Sequence, residues 1–144
     1  MGQDWKPYQA ATFVTPPFPE YVSGHSGFSA AAAIVLRLYT KSRDFGYSVT
    51  IPARSNTFEP GFVPATDITL RRNTFKDAAD QAGLSRRYGG IHFEEGDLRA
   101  RRLGRQVGHQ VWRKVLSYLQ RTEIDRPVCD DDENESQHAG MDCP

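Results

Sequence analysis

The sequence predicts a mainly α fold, part of a helical bundle, with a short β-hairpin or long loop at about 47–70. Two observations carry this. Apolar residues recur at three- and four-residue spacing in three stretches, 28–39, 75–82 and 103–119, as the buried stripe of a helix requires. Between the first two, Tyr47, Val49 and Ile51 alternate with polar residues, and so do Ile68 and Leu70. That period of two belongs to strands. With 144 residues the chain is long enough for one domain with its own core.

Residues 1–22 read as an irregular leader. Trp5, Tyr8, Phe13, Phe18 and Tyr21 are interleaved with prolines, which bias their neighbours toward extended structure. So many aromatics imply a segment that lies along a surface. The first helix is expected over 26–41, capped by Ser23 or Ser26. Ile34 and Leu36 add apolar character beyond its main stripe, so it is expected to be buried on most sides. Its alanines allow close helix approach. Residues 52–67 are rich in Pro, Gly, Ser and Asn. A loop this long inside a compact domain is expected to cover a site.

A second helix is expected over 73–88, capped by Asn73 or Thr74 with Asp77 in support. Gly83 weakens its middle and Gly89-Gly90 ends it. The last helix is expected over 97–120, with Leu103, Val107, Val111, Val115 and Leu119 as its core stripe. On that reading His109 faces solvent. Residues 123–144 hold the run Asp130-Asp131-Asp132-Glu133-Asn134-Glu135, too charged to bury, and read as a disordered acidic tail.

The formal net charge of zero conceals an uneven distribution. Residues 1–122 carry 17 basic and 10 acidic groups, a net of +7, while the tail carries −7. The body can attract an anion, or its arginines are a solvated helix face. No groove-reading or stacking motif accompanies them, so nucleic acid is not an expected partner. Cys129 and Cys143 lie in the tail and say little about compartment. No apolar run approaches the ~20 residues of a membrane span, and residues 1–6 lack the apolar core of a signal peptide. A soluble protein of unassigned compartment is expected.

Two stretches can carry chemistry. Ser23-Gly24-His25 stands at the start of the first helix. There, unpaired backbone N–H groups and the macrodipole favour an anion, and a histidine can move a proton near neutral pH. The plainer reading is a helix cap with a partly buried histidine. The second stretch runs from Ser85-Arg86 through Gly89-Gly90 to His92. Arginine offers a rigid fork of donors suited to phosphate-like oxygens, and histidine can attack phosphorus or ligate a metal oxyanion. Together the parts suit a tetrahedral oxyanion.

Jointly, these stretches resemble the second and third signature motifs of the vanadium-dependent haloperoxidases and their relatives, the type 2 phosphatidic acid phosphatases and bacterial acid phosphatases. The second family motif, Pro-Ser-Gly-His, stands here as Val22-Ser23-Gly24-His25. The third is Ser-Arg, five residues, His, three residues, Asp, and runs here from Ser85-Arg86 to His92. The surrounding Pro16-Pro17-Phe18-Pro19-Glu20-Tyr21 and Gly104-Arg105-Gln106-Val107-Gly108 look most like the bacterial haloperoxidase branch. The resemblance implies the helical bundle of that type over 23–122. It also implies roles. Ser23 and the Gly24 amide would bond oxygens of vanadate or phosphate, His25 would be the acid–base group, and Arg86 would neutralise equatorial oxygens. His92 would bind vanadium, as vanadate, in a haloperoxidase, or attack phosphorus in a phosphatase that needs no cofactor. Hydrogen peroxide and a halide, or a phosphate ester, would be the substrates.

Three departures stand out. Val22 replaces the motif proline. Gly96 stands at the motif aspartate, leaving Asp97 or Glu95 as the carboxylate to orient His92. The family's first motif, a lysine, six residues, then Arg-Pro, is absent, since Lys6 has no Arg-Pro partner. The chain is therefore expected to be the C-terminal half of a family member, completed by a missing N-terminal half or a homo-oligomer partner. Alone it is expected to bind vanadate weakly and turn over slowly. A non-catalytic remnant that binds anions or a partner chain is the remaining alternative.

Overall fold

The computed structural model describes residues 3–12 and 18–119. The acidic tail, with Cys129, Cys143 and His138, lies outside them. Among the described residues, three helices and one two-stranded antiparallel sheet follow in the order α1 (Gly24–Thr40), β1 (Asp44–Ile51), β2 (Ile68–Thr74), α2 (Phe75–Tyr88) and α3 (Glu94–Tyr118). The expected mainly helical class and hairpin are what the chain forms. No helix is long and apolar enough to cross a membrane among the described residues.

Each helix boundary has a local cause. Ser23 caps α1, its Oγ accepting the Ser26 N–H. Lys41, in the left-handed region at φ 53°, ends that helix. Thr74 and Asp77 form a full capping box at α2. At the far end of α2, the Gly90 N–H donates to the Arg87 carbonyl and the Ile91 N–H to the Arg86 carbonyl. Gly90 sits between them at φ 68°. This is a Schellman turn, in which glycine tolerates the left-handed backbone. The start of α3 has no side-chain cap, but Glu94, Glu95 and Asp97 in its first turn complement the macrodipole.

The α1·α3 pair is the centre of the molecule. Gly27 meets Ala100 and Gly104, Ala31 and Ile34 meet Gly108, and Tyr39 meets Trp112 edge-on at 6.5 Å. These matched positions show that α1 and α3 run parallel. A Cβ at Gly104 would collide with the Gly27 carbonyl, and one at Gly108 would lie 2.7 Å from the Ala31 carbonyl. Small residues thus let the two backbones approach closely. α2 runs antiparallel to α1, its first turn beside Ile34 and Arg37, and it also meets α3, where Gly83 sits against Asp97 and Arg101.

This packing corrects three sequence expectations. The α3 face that meets α1 is Ala100, Gly104 and Gly108. The expected stripe is not the core: Leu103, Val107 and Val111 are 49%, 43% and 44% exposed, and Leu119 is exposed too. They lie one position away from the small residues, about 100° around the helix. Close backbone approach decided the contact face, not side-chain bulk. The same rotation buries His109, at 7% exposure, which was expected to face solvent. Finally, α1 is not buried on most sides. Only Ser26, Ala30 and Ile34 are buried, while Phe28, Leu36 and Tyr39 are exposed.

The hairpin pairs Tyr47 with Arg72 through Ile51 with Ile68, with an irregularity between Asp44 and Tyr47. It docks on α2 through Phe45 against Phe75, ring centroids 5.5 Å apart. The loop between the strands is held to the leader. Tyr8 donates its hydroxyl proton to Glu59 at 2.5 Å and packs edge-on against Phe58. The loop was expected to cover a site. What it meets is the leader, which itself seals the Gly89-Gly90 turn: the Tyr8 N–H donates to the Gly89 carbonyl, and Trp5 fills the space where a Gly90 side chain would go.

Candidate functional site

The start of α1, the end of α2 and the turn into α3 come together at one end of the molecule. The Schellman turn reverses the chain between Arg86 and His92, so both serve the same corner. His25 lies beside them. Partial burial, then the Arg86 charge, then His92 lower its pKa from the ordinary histidine value. Neutral imidazole is therefore the favoured form of His25 at pH 7. His25, Arg86 and His92, expected to act together, do stand within electrostatic reach of one another.

His92 is the most constrained of the three. The residue is 6% exposed. Its Nδ1 is 2.8 Å from the Glu20 backbone carbonyl. A carbonyl can only accept, so Nδ1 carries the proton and Nε2 of the neutral ring is bare. Phe18 stacks on the ring, centroids 5.6 Å apart. Among the described residues, His92 Nε2 is buried with no hydrogen-bond partner, and so is Arg86 Nε. A buried polar atom left without a partner is costly. Two at one corner, one a lone pair and one an N–H on a cation, suit a ligand with an electrophilic centre and anionic oxygens. The donor set thus fits a vanadate or phosphate group.

The orienting carboxylate differs from expectation. Asp97 and Glu95 were the candidates. Asp97 is fully buried in other bonds, and Glu95 pairs with Arg99 at 2.6 Å. The residue that holds His92 is Glu20. Besides its carbonyl bond to Nδ1, its Oε1 accepts the Phe93 N–H at 2.9 Å and lies 3.7 Å from Nδ1. A Cβ at Gly96 would run into Glu20 Oε1. The glycine at the motif-aspartate position therefore makes room for a carboxylate from the leader.

Ser23 also has a different use. Its side chain and that of Ser26 are fully buried, with the two Oγ atoms 2.8 Å apart. Ser26 Oγ is 2.7 Å from Asp97 Oδ1. Ser26 has one hydroxyl proton and a carboxylate can only accept, so that proton goes to Asp97, and Ser23 gives its own to Ser26. Asp97 further accepts from Arg101 Nε at 2.8 Å and Nη2 at 2.6 Å, and Arg101 Nη1 reaches Asp80 at 3.1 Å. Burial alone would raise the Asp97 pKa. The hydrogen bonds from Arg101 and Ser26 and the charges of Arg101 and Arg87 outweigh it and hold the carboxyl below its ordinary range. The Ser23 side chain belongs to this network. What α1 offers a ligand is the Gly24 and His25 amides, the first two of the helix, which no earlier carbonyl within it reaches.

Glu20 and Arg101 were not given a role from sequence, and Ser26 was named only as a possible helix cap. Their partners lie 71 to 73 residues away for Glu20 and Ser26. The one local signal was Asp97 four residues before Arg101, the spacing of a helical ion pair.

Comparison with known proteins bears on the fold. The model of the VCPO second helical-bundle domain matches residues 1–121. Among solved structures, a holo-type bacterial vanadium-dependent chloroperoxidase superposes with a TM-score of 0.70 at 27% identity, over 81% of this chain and 24% of that one. Its apo-type structure gives 0.70 at 28% identity over the same shares. A bacterial vanadium-dependent iodoperoxidase gives 0.52 at 36% identity, over 74% of this chain and 22% of that one. No curated protein matches. The chain spans about a quarter of the length of these relatives. With a helical bundle of the same kind and a family model that covers most of its length, the chain belongs to the VCPO second helical-bundle domain family and is a vanadium haloperoxidase-like domain.

Proposed function

We propose that this domain holds vanadate at His92 Nε2 and serves peroxide-dependent halide oxidation. The observation that supports this reading most is the bare, buried Nε2 of His92, aligned by Glu20 and set beside the unpartnered Arg86 Nε. When bound, vanadate supplies a Lewis-acidic centre that activates peroxide without changing its own oxidation state. The chain's own groups do the rest. His92 is the ligand. Arg86 neutralises oxyanion charge. The Gly24 and His25 amides donate to oxygens at the helix start. His25, neutral at pH 7, takes and returns a proton beside them. Phe18 and the leader keep water from the His92 ring face.

Arg86 is the one cation this reading places on the oxyanion, so binding should be weak and turnover slow. Bromide oxidation assayed with vanadate and hydrogen peroxide tests the reading. Activity that needs both and is lost in His92→Ala supports it. Hydrolysis of a phosphate monoester, inhibited by vanadate, would assign the domain to phosphatase chemistry through a phosphohistidine. Neither activity, in a folded protein, would leave an anion- or partner-binding role.

A further inference from the structure

The opposite end of the α1·α2 pair carries a second feature that the oxyanion site does not use. A cleft of about 280 Å³ opens between the later half of α1 and the first turns of α2. Ala30, Ala33 and Ile34 from α1 and Phe75 and Ala79 from α2 give it an apolar wall. Arg37, Arg43, Lys76 and Arg105 add four cations around it. The acids on the cleft are Asp77 and Asp80, and both carboxylates already have partners. Asp77 Oδ2 accepts the Thr74 N–H at 2.9 Å. Asp80 binds Lys76 at 2.7 Å and Arg101 at 3.1 Å. Arg37 has no partner among the described residues. It lies in the last turn of α1, where the helix dipole favours a cation, and its guanidinium can face an added anion without breaking an ion pair.

We propose that this cleft binds a small organic carboxylate, its apolar body against Ala33, Phe75 and Ala79 and its charged end on Arg37. The size sets the class. Ligand pockets start near ~300 Å³, so the cleft takes a single ring or short chain and excludes a nucleotide. The charge sets the polarity. Lys76 and Asp80 cancel, and Arg43 and Arg105 have contacts of their own, so Arg37 is the cation that meets the ligand. Arginine's planar fork matches a carboxylate in a bidentate pair. The site is separate from the His25–Arg86–His92 corner, which uses the start of α1 and the end of α2. It does not depend on vanadate chemistry.

Titration of the full chain with 4-ethylbenzoate at constant ionic strength, followed by amide chemical shifts, tests this. Saturable shifts are expected at Ala33, Phe75 and Ala79. The neutral 4-ethylbenzamide should bind at least tenfold more weakly, and Arg37→Gln should weaken the carboxylate at least fivefold. Ala33→Trp fills the cleft and should abolish binding. Arg37→Gln, at a part-exposed position, keeps the test open if the tryptophan variant misfolds. His92→Ala should leave the affinity unchanged. No saturable shift, equal affinity for the amide, unchanged affinity in Arg37→Gln, or loss of binding in His92→Ala would overturn the proposal.

Discussion

Two polar clusters meet near the start of α1, and they are built in opposite ways. In the first, Ser23, Ser26, Asp97, Arg101 and Asp80 form a chain in which each member has a partner. In the second, His92 Nε2 and Arg86 Nε are just as buried but unpartnered. The first resembles a polar core that joins α1, α2 and α3. The second resembles a seat. Buried polar groups are nearly always bonded, so the incomplete cluster is the one that points to a ligand. The motif residue Ser23 falls in the complete cluster, although His25, two residues on, lies within electrostatic reach of the incomplete one.

Breaking the complete cluster should cost stability, and the largest effect is expected at Asp97. Asp97→Ala leaves Arg101 and Ser26 without their shared acceptor and should destabilise the domain by about 3–5 kcal/mol, the usual cost of removing one partner of a buried ion pair. Urea unfolding at pH 7 measures it. The same carboxyl has a sign in pH. Its pKa is depressed in the folded state, so its contribution is present above the ordinary carboxylate range and lost as pH falls through the depressed value. The wild type should therefore lose melting temperature on acidification more steeply than Asp97→Asn.

Gly83→Ala should come next. A Cβ there would run into Asp97 Oδ1 and lie 2.8 Å from Arg101 Nε. Helix propensity favours the alanine by about 1 kcal/mol, but displacing a bonded network costs roughly 1–3 kcal/mol. A net loss in thermal stability is expected. No loss would show that the network is loose.

The incomplete cluster should answer differently. Arg86→Gln should leave stability within about 0.5 kcal/mol, the range of changes that break no bonded network. It should weaken phosphate or vanadate binding roughly ten- to hundredfold, since a hydrogen bond to a charged group contributes about 1.5–3 kcal/mol. Calorimetric unfolding and anion titration separate the two effects. The smallest effect is a pKa. Arg86 lowers the His25 pKa, so Arg86→Gln should raise it. Phosphate added to the wild type should raise it too, by placing negative charge beside the ring. Histidine proton shifts followed by NMR read both.

How much of this was legible from sequence follows the range of the interactions. The helices, the Thr74–Asp77 cap and the glycine stop at 89–90 rest on neighbours within a few residues, and periodicity revealed them. The hairpin was seen but cut short, because Asp44, Phe45 and the residues after Leu70 break the alternation. The core face of α3 was misread because the stripe rule counts large apolar residues. A Gly–Ala face wins when backbones must touch. The motif pair singled out His25, Arg86 and His92, yet not how His92 is held. The leader carries Glu20 into the space Gly96 leaves, and no local pattern encodes that. With Glu20 against His92, Asp97 bonds Ser26 and Arg101 instead.

The central claim is that His92 Nε2 and Arg86 mark an oxyanion seat. Equilibrium dialysis of the full chain against orthovanadate tests it most directly, with His92→Ala as the control. Weak, saturable binding of one vanadate by the wild type, lost in His92→Ala although the variant stays folded, is the predicted result. Binding that survives His92→Ala, or a folded wild type that binds no vanadate at all, would contradict it.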